Sequence, residues 1–211
     1  VPHPPTPAVV ANLASIASIV KIDSIPVPQL KVGDMWEYQQ IDLLSGSVTE
    51  KFTRRVTAIT ADETRFGGYV ADRSLGLLRR TREGKVVLTW KPKHPQYDFP
   101  LQVGKAWSAV GVVDTERLTA EHNFNFKVVR QEQVLVPAGV FDTLRLEGTS
   151  KYKSTMKKDG ASGQGNSTYR IWFSPVTGYF VAYEYEETNF KGIVHKKERS
   201  ELLSYKRDAV K

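Results

Sequence analysis

From about residue 34 onward, apolar side chains recur at every second position, and this period excludes most folds. An amphipathic helix needs spacings of three and four, whereas a strand with one buried face alternates. In "FNFKVVRQEQVLV", Phe124, Phe126, Val128, Val134 and Val136 share one face, with Asn125, Lys127, Gln131 and Gln133 on the other. "STYRIWF" sends Tyr169, Ile171 and Phe173 one way and Thr168, Arg170 and Trp172 the other. "YFVAYEYEE" sets Tyr179, Val181, Tyr183 and Tyr185 against Phe180, Ala182, Glu184 and Glu186. These runs are rich in β-branched and aromatic residues, which fit a pleated, half-buried surface. Between them stand "LLSGS", "TREGK", "VPAGVFD", "KKDGASGQGN" and "SPVTGY", each with the Gly, Pro, Asp or Ser that a tight turn requires. The pattern predicts an all-β domain over residues 31–207: a single antiparallel meander of about ten strands forming a barrel, a half-barrel or a sandwich.

One phrase is written twice. "LKVGDMW" (30–36) returns as "LQVGKAW" (101–107), each copy preceded by a proline, Pro28 or Pro100. Leu and Val can anchor inward, Gly33 or Gly104 permits a backbone angle other residues resist, and the Trp begins a strand. The repeat reads as two related openings of long strands, and so as two related halves of the sheet. A convergent turn solution would give the same words.

The segment before residue 31 differs. "VPHPPTP" is Pro-rich, and Val10, Leu13, Ile16 and Val20 in "AVVANLASIASIV" have the spacing of a short amphipathic helix. Such a helix is marginal alone and is expected to dock on the sheet. "DSIPVPQL" reads as an extended linker, and residues 208–211 as a tail. A start at Val1 without Met reads as a processed or trimmed product, and a removed signal peptide is one explanation.

The chain has 211 residues and no cysteine, so disulfides, thiolate metal sites, cysteine nucleophiles and lipid attachment through cysteine are excluded within it. No apolar run approaches the roughly 20 residues of a membrane-spanning helix. The net charge of +7 is concentrated in residues 151–211, where 12 Lys/Arg face 7 Asp/Glu. A basic C-terminus without a recognition motif argues against nucleic acid as the partner. Lysines along strand edges discourage edge-to-edge pairing, which accounts for much of the excess.

Catalytic signatures are missing. His3, His94, His122 and His195 show no metal-ligand spacing, and "GASGQG" (160–165) is flanked by strand patterns instead of the helix a phosphate loop needs. No cofactor and no metal are expected. Glu184 and Glu186 share a strand face and could flank a glycan as hydrolase carboxylates; surface ion pairs are the commoner use. The stronger signal is aromatic. Trp36, Trp107, Trp172, Tyr183 and Tyr185 are the candidate ligand-binding residues, on a concave sheet face open to a lipid, another hydrophobic small molecule or a peptide.

Two strings carry a resemblance. "VPAGVFDTLRLEG" (136–148) and "YRIWFSPVTGYFVAYEY" (169–185), with "VGDMWEY" near the start, resemble segments of a domain-of-unknown-function family of bacterial envelope proteins. The matching turns, Pro137-Ala138-Gly139 and Ser174-Pro175 to Gly178, are structural. The resemblance implies an exported or periplasmic β-rich domain, with a half-barrel like that of lipoprotein carriers as one form, and supplies no catalytic residues. The expected function is therefore a non-enzymatic envelope protein that binds a hydrophobic or peptidic ligand. A structural or assembly module with an envelope protein partner is the alternative, and a glycan hydrolase using Glu184 and Glu186 the third.

Overall fold

In the computed structural model, which describes residues 20–207, the alternating segments form twelve strands. They are β1 (Met35–Asp42), β2 (Ser47–Ile59), β3 (Glu63–Phe66), β4 (Tyr69–Asp72), β5 (Leu77–Arg82) and β6 (Lys85–His94). The second half comprises β7 (Ala106–Thr115), β8 (Leu118–Val136), β9 (Gly139–Met156), β10 (Ser162–Ser174), β11 (Tyr179–Asn189) and β12 (Val194–Lys206). Every strand pairs antiparallel with its neighbours in sequence, and β1 pairs with β12, so the sheet is a closed barrel. The all-β antiparallel expectation holds, and closure selects one of its three architectures. The strand count rises to twelve because β3, β4 and β5 span only four, four and six residues, too short to register as alternating runs. The expected N-terminal helix and the 208–211 tail fall outside the described residues.

Alternation sorts side chains between interior and exterior. Trp36, Tyr38, Phe124, Phe126, Val128, Leu144, Leu146, Tyr169, Ile171 and Phe173 are all buried in one apolar core. The intervening positions carry Glu37, Gln39, Glu121, Asn125, Lys127, Glu147 and Lys151. This is the reverse of a lipid-spanning barrel, whose outer band is apolar and whose lumen is polar. No helix among the described residues is long and apolar enough to cross a membrane.

The repeated phrase makes the same turn twice. Gly33 (φ 101°) and Gly104 (φ 92°) both adopt the left-handed backbone that favours glycine. The Gly33 amide donates to the Val56 carbonyl at 2.9 Å, and the Val56 amide donates to the Asp34 carbonyl at 2.8 Å. In the second copy Gly104 donates to Val128 at 2.8 Å, and Val128 donates to Lys105 at 2.8 Å. Each turn is thus clipped to a buried valine of the next strand, Val56 on β2 or Val128 on β8, and the copies open β1–β6 and β7–β12. The valines of the phrase do not anchor inward: Val32 is 62% and Val103 47% exposed. Leu30 and Leu101 do, since the left-handed glycine redirects the chain after the leucine has packed.

One end of the barrel is closed. Of the N-terminal segment, residues 20–30 run across it, with Ile25 bridged to Leu101 and both Ile25 and Leu30 in the core. The connection from β6 to β7 carries Tyr97 inside, against Phe99 and Phe173. Arg207, just after β12, reaches Asp34 at 3.3 Å and the Gln29 carbonyl at 2.9 Å. The wall is lower on one side. Because β3 and β4 turn back at Gly67-Gly68, Ser47–Arg55 of β2 pairs with β1 alone. A notch is left between β2 and β5.

Candidate functional site

Two recesses occupy the barrel interior away from its closed end. The larger has a volume of ≈ 550 Å³ and the smaller ≈ 290 Å³. Tyr69, Leu77, Gln96 and Tyr183 line both, so they are parts of one hollow.

The larger recess is walled by aromatic residues from successive strands. Trp90 and His94 come from β6, His122 from β8, Tyr152 from β9, Tyr169 from β10, and Tyr183 and Tyr185 from β11. The His94 ring packs edge-on against Trp90 (4.7 Å), Phe124 (5.0 Å) and Tyr169 (5.7 Å). Its Nδ1 is buried with no hydrogen-bond partner among the described residues. Burial, reinforced by His122, lowers its pKa from 6.5 to about 3. His122 stacks on Phe124, and its Nδ1 lies 3.0 Å from Ser150 Oγ. Burial lowers its pKa to about 4, against the opposing pull of Glu187. Gly148 makes room for this arrangement, because a Cβ there would come within 2.2 Å of the Phe126 ring.

A polar cluster stands on β11. Glu187 Oε1 accepts from the Tyr152 hydroxyl at 2.5 Å, and Oε2 accepts from the Tyr185 hydroxyl at 3.0 Å. Ser167 Oγ is 3.1 Å from the Tyr185 hydroxyl, and His195 Nε2 is 3.5 Å from Glu187. Burial first, with the carboxylate contributing, raises the pKa of both phenols, so they remain donors. At neutral pH the aromatic wall of the larger recess therefore presents neutral imidazoles and protonated phenols, beside Glu187, already served by two donors, and a Lys196–Glu198 pair. Chemically, such an arrangement is better suited to contacting a small molecule than to moving protons.

Of the five residues singled out from the sequence, Tyr183 and Tyr185 line the larger recess. Trp36 is fully buried near the closed end, packed on Phe66 and Tyr179, its Nε1–H donating to the Thr177 carbonyl at 3.0 Å. Trp107 stacks on Phe126 and donates to the Pro95 carbonyl at 2.7 Å, beside a separate hollow that Ser108, Asn125, Lys127 and Glu147 also line. Trp172 points outward beneath the Arg145 and Arg199 guanidiniums, 5.4 and 5.1 Å from its ring, and donates to Glu132 Oε1 at 2.7 Å. The structure does not bring the three tryptophans to the tyrosines.

Glu184 and Glu186 face outward as well. Glu184 accepts from Arg199 at 2.6 Å and Arg170 at 3.0 Å, while Lys197 Nζ lies 2.8 Å from Glu186. Burial pushes the Glu184 pKa up, but Arg199 and Arg170 outweigh it and hold the carboxyl below its ordinary value. A glycosidase acid needs the opposite shift.

Sequence reasoning missed Trp90, His94, His122, Tyr152, Tyr169 and Glu187 as site residues. Glu187 was within reach, since it continues the 183, 185, 187 side of β11. No signal marked His94, whose setting depends on rings from two other strands, β8 and β10.

No family model matches the chain, and no curated protein matches it. Three solved structures are similar in fold. A lipoprotein candidate from Parabacteroides distasonis has a TM-score of 0.48 at 12% identity, over 88% of this chain and 100% of that one. A candidate exported protein with YmcC-like fold from Bacteroides fragilis has a TM-score of 0.45 at 14% identity, over 87% and 100%. The hypothetical lipoprotein YmcC from Escherichia coli has a TM-score of 0.40 at 10% identity, over 80% and 84%. No residue role is carried over from them.

Proposed function

We propose that this barrel is a non-enzymatic binding protein of the bacterial envelope that holds one small, largely apolar ligand inside it. The observation that carries the reading is the aromatic hollow at the unplugged end, whose larger recess of ≈ 550 Å³ lies in the range of about 300–1,000 Å³ usual for small-molecule sites. Its chemistry agrees, with rings supplying contact area and Glu187, His122 and the tyrosines supplying a few fixed polar points. The envelope setting rests on the sequence resemblance and on a cysteine-free chain with a charged exterior. The alternative assembly role draws on exposed apolar side chains at Leu44, Val86, Phe190 and Ile193, in or beside turns at the same end.

The test is native mass spectrometry of protein exported into a bacterial periplasm, with organic extraction, followed by titration with the uncharged fluorophore N-phenyl-1-naphthylamine. A bound apolar compound, or saturable fluorophore uptake, is expected. Replacing Tyr183 and Tyr185 together by Ala should weaken uptake at least tenfold, in a protein whose melting confirms that it is folded. A clean apo mass together with no fluorophore uptake refutes the reading and favours the assembly role.

A further inference from the structure

The notch in the wall holds two arginines in unusual company. Arg54 lies with its Cζ 3.5 Å from the Tyr69 ring centroid and 4.9 Å from that of Phe52. Arg80, from the other side of the notch, has its Cζ 5.3 Å from the same Tyr69 ring. One tyrosine thus gathers two guanidiniums, and all three residues line the smaller recess. Neither guanidinium has a hydrogen bond or an ion pair with any described residue.

Several other arginines are paired, while the exposed Arg55, Arg82 and Arg117 have no carboxylate partner among the described residues. Arg79 forms a two-pronged bridge to Glu63, Arg145 meets Glu132 and Glu147, Arg199 meets Glu184 and Glu201, and Arg207 meets Asp34. At the notch a carboxylate is close at hand, since Glu50 lines the same recess, yet it pairs with neither arginine. Two like charges on one ring repel, and a guanidinium fork is shaped to grip a carboxylate or phosphate with two parallel hydrogen bonds. An anion bound at the notch would offset this positive charge and satisfy donors that the protein leaves open.

The hollow also has a polarity. Arg54 and Arg80 stand at the notch beside Glu50, whereas the larger recess carries Glu187 and a Lys196–Glu198 pair at 3.2 Å, with Tyr183 lining both compartments. A negative group is drawn to the notch and repelled from the far wall, while an apolar chain has only the aromatic recess to enter.

We propose that the notch formed by Arg54, Tyr69 and Arg80 binds the anionic head of an amphiphile, a carboxylate or a phosphate, whose apolar part occupies the larger recess. This rests on the interior-ligand reading above and adds the charge and orientation of the ligand. The test is competition against N-phenyl-1-naphthylamine by three twelve-carbon compounds: dodecanoate, dodecyl phosphate and uncharged dodecanol. In the wild type at least one anion should compete about tenfold or more better than dodecanol, and the stronger anion names the head group. Raising the salt concentration should shrink this advantage, as it does for partly exposed charges. Arg54→Gln combined with Arg80→Gln should abolish the advantage, read as the ratio of anion to dodecanol affinity within the same protein. Equal competition by all three compounds in the wild type overturns the notch while leaving the hollow as a site, and that comparison needs no variant. No uptake of any compound overturns the interior-ligand reading itself.

Discussion

His94 makes the barrel sensitive to mild acid, and the size of the effect follows from its surroundings. Its ring is 5% exposed, set among Trp90, Phe124, Phe126 and Tyr169, and burial is the main cause that opposes its protonation, with His122 adding to it. Folding lowers its pKa from 6.5 to about 3, so the native state holds the neutral ring while the unfolded chain binds a proton below pH 6.5. The stability associated with this group is complete above 6.5 and declines as pH falls toward 3. Each pH unit within that window costs about 1.4 kcal/mol, so going from pH 7 to pH 5 removes about 2 kcal/mol. His122, lowered to about 4, adds loss in the same sense. Phenylalanine keeps an aromatic ring in the cage, and no Nδ1 hydrogen bond would be sacrificed. His94→Phe should therefore lose about 2 kcal/mol less than the wild type over this interval, with the two proteins similar at pH 7. Urea unfolding followed by tryptophan fluorescence at half-unit pH steps measures both. Equal slopes in the two proteins would refute the reasoning, because they would mean that the His94 ring already protonates freely in the native barrel.

Two further predictions concern the wall. Gly139→Val should lower the urea midpoint by an amount equivalent to about 2 kcal/mol, because Gly139 has φ 128° and a β-branched residue is strained there; an unchanged midpoint would contradict the turn geometry. Glu184→Gln should cost about 1–2 kcal/mol by loosening Arg170 and Arg199, with N-phenyl-1-naphthylamine affinity unchanged. A loss of binding with stability intact would instead place Glu184 in a site.

The alternating runs made the β class and most of the long strands legible, because period two is a local property of neighbouring residues. Closure was not, since it depends on a seam between the first and last strands that no local pattern encodes. Bulges also limited the reading. Past the register shift between Val128 and Arg130, Arg130 stands opposite Arg145, so Val134 and Val136 change sides relative to Phe126. The shift between Trp172 and Phe173 likewise lets Phe180 face inward, stacked on Tyr38 at 4.6 Å, although simple alternation sets it opposite Tyr179. An extra residue of this kind has no compositional mark. The tryptophans lie apart from the tyrosines for a related reason. They were chosen for size and chemistry, but their strand positions send Trp36 to the closed end and Trp172 to the exterior, while Tyr183 and Tyr185 point into the hollow because the β11 alternation holds past Ala182.

The seam between β1 and β12 also has a temporal meaning. Met35 is opposite Lys206, so the strand made first finds its partner only when the last one is complete. A chain emerging from a ribosome or a translocation pore cannot close at any intermediate length. Until β12 arrives, β1 offers an unpaired edge and the aromatic lining faces water, which makes the growing chain prone to sticking and slow to fold. The same dependence makes the C-terminus a checkpoint: a product cut short before β12 leaves two raw edges, on β1 and β11, and a half-open wall that has nowhere to keep a ligand.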